Sequence, residues 1–206
     1  VLHLSVDFQY ALYLNGEFLE YGQYADTENT SCRFTAEWMR HTGLFTGERV
    51  NGQLCFNPEK TVSRGEFLAM LVKALDIPLE DTSNLSLPAD TPLWLQPYLA
   101  AALRAGLTAG WPDTGNLSEA ITGAEAAVML QNALDLTVSQ DALANQSSVT
   151  EDGESVPAWA AVPLSVLEEN GIYVSAFGTL NRGQVSHILY EASHLAALSA
   201  GAALFR

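Results

Sequence analysis

Two arginines stand where helix electrostatics would favour an acid. Arg64 lies between Ser63 and Glu66, and Arg182 between Asn181 and Gln184. Ser-x-x-Glu is a capping box, with Asn181-x-x-Gln184 as a weaker variant, so each arginine falls on the first helical residue. A cation there opposes the helix macrodipole by about 0.3–1 kcal/mol. What such a pairing offers chemically is anion binding, because helix-start N–H groups and a planar guanidinium fork both suit a carboxylate. The competing reading is an arginine paired with a nearby acid, or simply solvated. Glu66 is the cap partner of Ser63 and also a candidate ligand contact. Thr122-x-x-Glu125 repeats the box, with Gly123 where the arginine would stand.

Aromatic residues form the second candidate group. Trp94 and Trp159 each sit 12 residues before a glycine, at helix starts, where tryptophan serves best as a packing anchor. Trp111 is followed by Pro112-Asp113 and is the candidate for an exposed platform that stacks on a sugar ring; Tyr98 and Tyr173 could join it. The candidate ligand-binding residues are therefore Arg64, Arg182, Trp111 and Glu66. No metal site is expected. His187 and His194 are two helical turns apart without the accompanying acids, and Pro112-Asp113-Thr114-Gly115-Asn116 lacks the later ligands of a calcium loop. No nucleophile elbow, phosphate loop, zinc-protease or dinucleotide fingerprint is present, no catalytic carboxylate pair stands out, and no cofactor is implied.

The 206 residues carry 9 basic and 24 acidic side chains, a net charge of −15, which argues against nucleic acid and anionic lipid as partners. With 48% hydrophobic residues the chain is expected to be globular, and no apolar run is long enough to insert in a membrane. It opens at Val1, as expected of a processed or trimmed piece of a longer protein. Cys32 and Cys55 admit two readings: buried free thiols, or one disulfide worth about 3 kcal/mol in the loop-entropy picture.

The elements that must position these residues are repeated. SRGEFLAMLVKAL from Ser63 reappears from Thr122 and again from Asn181, 59 residues apart each time. Phe67, Met70, Leu71 and Ala74 map onto Ala126, Met129, Leu130 and Ala133, and again onto Val185, Ile188, Leu189 and Ala192. That i, i+3, i+4, i+7 stripe is one face of a helix, and a unit built this way must stack on its siblings to bury it. A preceding helix in each unit is expected to end at Gly43, Gly106 or Gly171, with the following apolar residue completing a left-handed cap. The connection between the two helices shortens along the chain, and polar stretches at about 79–91 and 137–156 separate the units, the second, acidic one expected as a mobile surface loop. Residues 1–25 read as a β-hairpin about Asn15-Gly16, or as the tail of an upstream module. The fold expected is mainly α: three helix–loop–helix repeats, about 26–78, 88–137 and 155–206, forming one domain at 26–206.

Gly43-Leu44-Phe45-Thr46-Gly47, Phe56-Asn57-Pro58 and Val62-Ser63-Arg64-Gly65-Glu66-Phe67 together resemble the S-layer homology domain, with its G-I-x-x-G helix exit, F-x-P loop and T-R-A-E helix start. The second and third units are weaker copies: one has Gly123 for the arginine, the other keeps Arg182 without the F-x-P loop. The resemblance covers about residues 26–195. It implies a pseudo-three-fold bundle at a bacterial cell surface. Such a module is noncatalytic and anchors to an acidic, often pyruvylated, secondary cell wall polysaccharide through the grooves between repeats, with the arginines contacting the acidic group. The alternative is a degenerate triplet that serves as a scaffold or protein-interaction module without glycan binding.

Overall fold

A computed structural model describes residues 23–79, 87–88, 90–111, 116–145 and 155–203, with the short stretches 13–14 and 17–18. The protein is mainly helical, with small antiparallel strand pairs. It divides into two compact units: Val1–Lys60 with Asn181–His187, and Thr61–Leu180 with Ile188–Arg206.

In the first unit β1 (Tyr13–Leu14) pairs with β2 (Glu17–Phe18), Tyr13 opposite Phe18. The Asn15-Gly16 turn expected between them lies outside the described residues. Helix α1 (Arg33–His41) is followed by β3 (Glu48–Val50) and β4 (Gln53–Cys55), paired with Val50 opposite Gln53. This second hairpin turns on Asn51-Gly52, both at positive φ (51° and 83°), the pairing that a tight two-residue turn requires. Tyr24, Trp38, Met39 and Phe56 are buried in this unit. The Asp26 carboxylate accepts from the N–H groups of Phe56 and Asn57, at 2.8 and 2.7 Å, and so fixes the chain beyond β4.

The second unit holds α2 (Arg64–Ala74), α3 (Gln96–Arg104), α4 (Gly123–Ala133), α5 (Gln140–Asn145) and α6 (Ala158–Glu169). The last helix, α7 (Arg182–Ala203), contributes its first turns to the first unit. Helix α2 packs on α3, and α4 on α6. The expected stripe is buried in α4 at Ala126, Met129 and Leu130, and in α7 at Val185, Ile188, Leu189 and Ala192. In α2 the buried face is rotated: Leu68 and Val72 join Phe67 and Leu71, while Met70 is only half-buried. A further difference is α5, which occupies part of the 137–156 stretch expected as a loop. Ser139 Oγ accepts from the Ala142 N–H at 2.8 Å, and α5 packs on α6.

All three exits expected at glycine form. Gly43, Gly106 and Gly171 have φ of 71°, 70° and 79°. In each the next residue's N–H reaches back five residues, Leu44 to Met39, Leu107 to Ala102 and Ile172 to Leu167, each at 2.9 Å. This is the Schellman pattern, closed by buried Leu44, Leu107 and Ile172.

The residues just before the three boxed helix starts are tied into a closed ring. Val62 N–H donates to Leu180 O (3.0 Å), Leu180 N–H to Ile121 O (2.9 Å), and Ile121 N–H to Val62 O (3.0 Å). All three side chains are buried, so these backbone groups, shielded from water, find partners only in one another.

Candidate functional site

The expected caps form. Ser63 and Thr122 close full capping boxes with Glu66 and Glu125, and Asn181 makes the reciprocal pair with Gln184 at 2.9 Å in both directions. The helix starts are not open, however. Arg64 N–H donates to Glu119 O and Gly65 N–H to Leu117 O, both at 2.8 Å. In the first unit Arg182 N–H donates to Lys60 O (2.9 Å) and Gly183 N–H to Pro58 O (2.8 Å). Neighbouring backbone thus takes the donors that an anion would need.

The guanidiniums are engaged as well. Arg64 is 8% exposed; its Nη2 lies 2.5 Å and its Nε 3.1 Å from Glu125 Oε1, and its Nη1 binds Glu119 Oε2 (2.8 Å) and Asn116 O (3.2 Å). Burial alone would push the Glu125 carboxyl up. Arg64, the Thr122 N–H and, more weakly, the Trp111 indole outweigh that and hold it below the usual glutamate range. Arg182 donates to Phe56 O and to Glu48 Oε1 (3.0 Å), with its guanidinium 4.0 Å from the Phe45 ring centre. Glu48 also accepts from Lys60 (2.7 Å) and Asn57 (2.9 Å). Its carboxyl is held below the usual range, chiefly by Lys60 and then by Arg182, against a desolvation push.

At the third position the reason for glycine is steric. A Cβ on Gly123 would lie 1.6 Å from Ser175 O, because the short connection of the third repeat runs directly against α4. No side chain fits there, so the missing arginine is replaced by backbone.

The tryptophans exchange their expected roles. Trp111, expected as an exposed platform, is 7% exposed and lies under the Arg64 guanidinium, 5.5 Å from its ring centre; its indole N–H makes no hydrogen bond of normal geometry. The aromatic face draws in the cation, which pins Trp111 beneath the ion pair. Trp94, expected as a packing anchor, is 54% exposed in the turn before α3, and Trp159 is half-buried. Trp94 forms one wall of a groove of about 180 Å³. Ser63 and Glu66 of the α2 cap, Asp90 and Thr91, and Asn116 and Ser118 from the segment before α4 are among the other lining residues, and Arg64 is not.

Among the remaining candidates, Tyr173 is 73% exposed, and His194 stacks on Tyr190 at 6.0 Å. Cys32 and Cys55 are both free and buried, and burial pushes the Cys32 thiol up, which leaves it a poor nucleophile. No His, Cys, Asp and Glu cluster among the described residues could hold a metal ion, and no helix among them is long and apolar enough to cross a membrane. The calcium-like segment 112–115 lies outside the described residues. No protein-family model matches the chain, and no curated protein matches it closely enough to count as a relative.

Proposed function

We propose that this chain is a noncatalytic module that anchors its protein to a bacterial cell wall polysaccharide, built as three S-layer-homology-like repeats around the Val62–Ile121–Leu180 ring. The observation that carries the reading is the groove beside the α2 cap. It is lined by a half-exposed tryptophan together with hydroxyl and amide side chains, the combination that grips a sugar's apolar face and its hydroxyl rim. An acidic substituent, as the resemblance implies, reaches the arginines only by exchange. At Arg64 it would displace Glu119, whose side chain is 56% exposed, and at Arg182 it would displace Glu48, at 37%. Glu125 is buried and stays in place.

A second reading, a scaffold without glycan affinity, is favoured by one fact: both guanidiniums are already neutralised internally, and the position equivalent to them is filled by Ser175 backbone. Sedimentation with purified cell walls, before and after extraction of their polysaccharide, separates the two. The anchor reading expects capture by intact walls, loss on extracted walls, and loss with Trp94→Ala. Equal sedimentation with extracted walls, or none with intact ones, overturns it.

A further inference from the structure

We propose that the Trp94 groove takes a sugar carrying a free ammonium group, such as a hexosamine without its N-acetyl cap. This rests on the wall-saccharide reading for the class of ligand and narrows the charge of the sugar seated in that groove. The backbone donors at the α2 start are all taken. Ser63 N–H binds Glu66 Oε2 (2.8 Å), Glu66 N–H binds Ser63 Oγ (3.2 Å), and the Arg64 and Gly65 N–H groups bind the carbonyls of Glu119 and Leu117. A helix start whose four leading N–H groups are occupied has lost the feature that makes it an anion site.

What the groove offers instead is acceptors. Its lining contains two carboxylates, Glu66 and Asp90, both on exposed residues, and no basic side chain among the described residues. Thr91 supplies an independent observation. It lines the groove at 7% exposure, and its Oγ1 finds no hydrogen-bond partner, a buried hydroxyl that a polar group of a ligand, donor or acceptor, would satisfy, while the carboxylates decide the charge. Trp94 adds an aromatic face, which attracts an ammonium and repels a carboxylate. At about 180 Å³ the space is smaller than the roughly 300–1,000 Å³ of sites for drug-sized molecules, and suits a single sugar residue of a chain.

Isothermal titration of the intact chain with three probes tests this: glucosamine oligomers, N-acetylglucosamine oligomers and oligogalacturonate. Glucosamine oligomers are expected to bind about tenfold tighter than the N-acetylated ones, from two partly exposed carboxylates and one aromatic face. The preference is expected to vanish in the Glu66→Gln, Asp90→Asn double variant. Glutamine still closes the α2 cap, so this variant keeps the fold. Equal or tighter binding of either other probe, no binding of glucosamine oligomers, or an undiminished preference in the double variant overturns the proposal. Wall capture that survives such a result leaves the anchor reading standing. Glucosamine binding without wall capture removes the anchor reading and leaves the groove chemistry intact.

Discussion

Arg64 and Glu125 form an ion pair between residues 61 apart in sequence, Nη2 to Oε1 at 2.5 Å, with side chains 10% and 8% exposed. Arg64 Nε shares the same oxygen at 3.1 Å. The pair explains why a cation is kept at a position that helix electrostatics disfavours: the cap glutamate of one boxed helix neutralises the first residue of another. Arg64→Ala leaves Glu125 buried and unpaired, and is expected to cost about 3–5 kcal/mol in urea unfolding. Arg64→Met with Glu125→Leu removes both charges and should recover much of that loss, apart from about 1 kcal/mol for the lost cap. A single Arg64→Ala that melts like wild type would mean that the guanidinium is not committed to the fold.

Acid should act through the same carboxylates. Glu125 and Glu48 both sit below the ordinary glutamate value in the folded protein, the first held there by Arg64 against burial, the second by Lys60 and Arg182. A depressed folded value means that the unfolded chain binds the proton more readily. The stabilisation is therefore complete above the unfolded value, about 4.3, and is lost as pH falls through the folded values. Melting temperature should be flat above about pH 5 and fall steeply below about pH 4. Glu125→Gln should start less stable and show a shallower acid slope. A variant slope equal to wild type would assign the acid sensitivity elsewhere.

Gly123 makes a steric prediction. With Ser175 O only 1.6 Å from where an alanine Cβ would stand, Gly123→Ala must move backbone and is expected to lose at least about 1–3 kcal/mol. Gly65→Ala is the control: there the closest atom is the flexible Leu95 Cδ2 at 2.6 Å, with Leu117 O at 3.2 Å, so most of the strain can be relieved by a rotamer change. Paired thermal melts should rank Gly123→Ala well below Gly65→Ala. The same clash means that Gly123→Arg cannot recreate an arginine site.

Much of this was legible in local sequence, and the failures share one cause. Capping boxes and glycine exits depend on three to six neighbouring residues, so Ser63-x-x-Glu66 and Gly43-Leu44 could be read directly. The Asn51-Gly52 hairpin carried an equally local signal and was hidden only because it interrupts a helix–loop–helix reading. Trp94 and Trp111 are different. Trp111 lies under the Arg64 side chain, and where that side chain lies is set by Glu119 and Glu125, more than fifty residues away. The Val62–Ile121–Leu180 ring is likewise non-local: the 59-residue spacing shows that the three positions are equivalent, but no local pattern says that they bond to one another. The arginines are non-local in the same way: their position suits an anion or an internal acid equally, and the geometry supplies the internal partners, Glu119 and Glu125 for Arg64 and Glu48 for Arg182.

The last prediction concerns two aspartates that share the repeat spacing. Asp76 and Asp135, 59 residues apart, follow the C-terminal ends of α2 and α4 with φ of 50° and 49°. In each, the next N–H closes the Schellman bond, Ile77 to Val72 and Leu136 to Gln131, so the left-handed residue is required by the cap. An L-residue with a Cβ is strained there by about 1–2 kcal/mol, aspartate somewhat less, while glycine is not. An acidic group at a helix C-terminus also faces the negative end of the dipole. Asp76→Gly and Asp135→Gly are each expected to raise stability by about 0.5–1 kcal/mol after the extra backbone entropy of glycine in the unfolded chain is set against the relieved strain. The two caps close different helices, so the double variant should show the sum within a few tenths of a kcal/mol. Urea unfolding of the two singles and the double checks this. A destabilised Asp76→Gly would show that the Asp76 side chain makes a stabilising contact that outweighs its backbone strain.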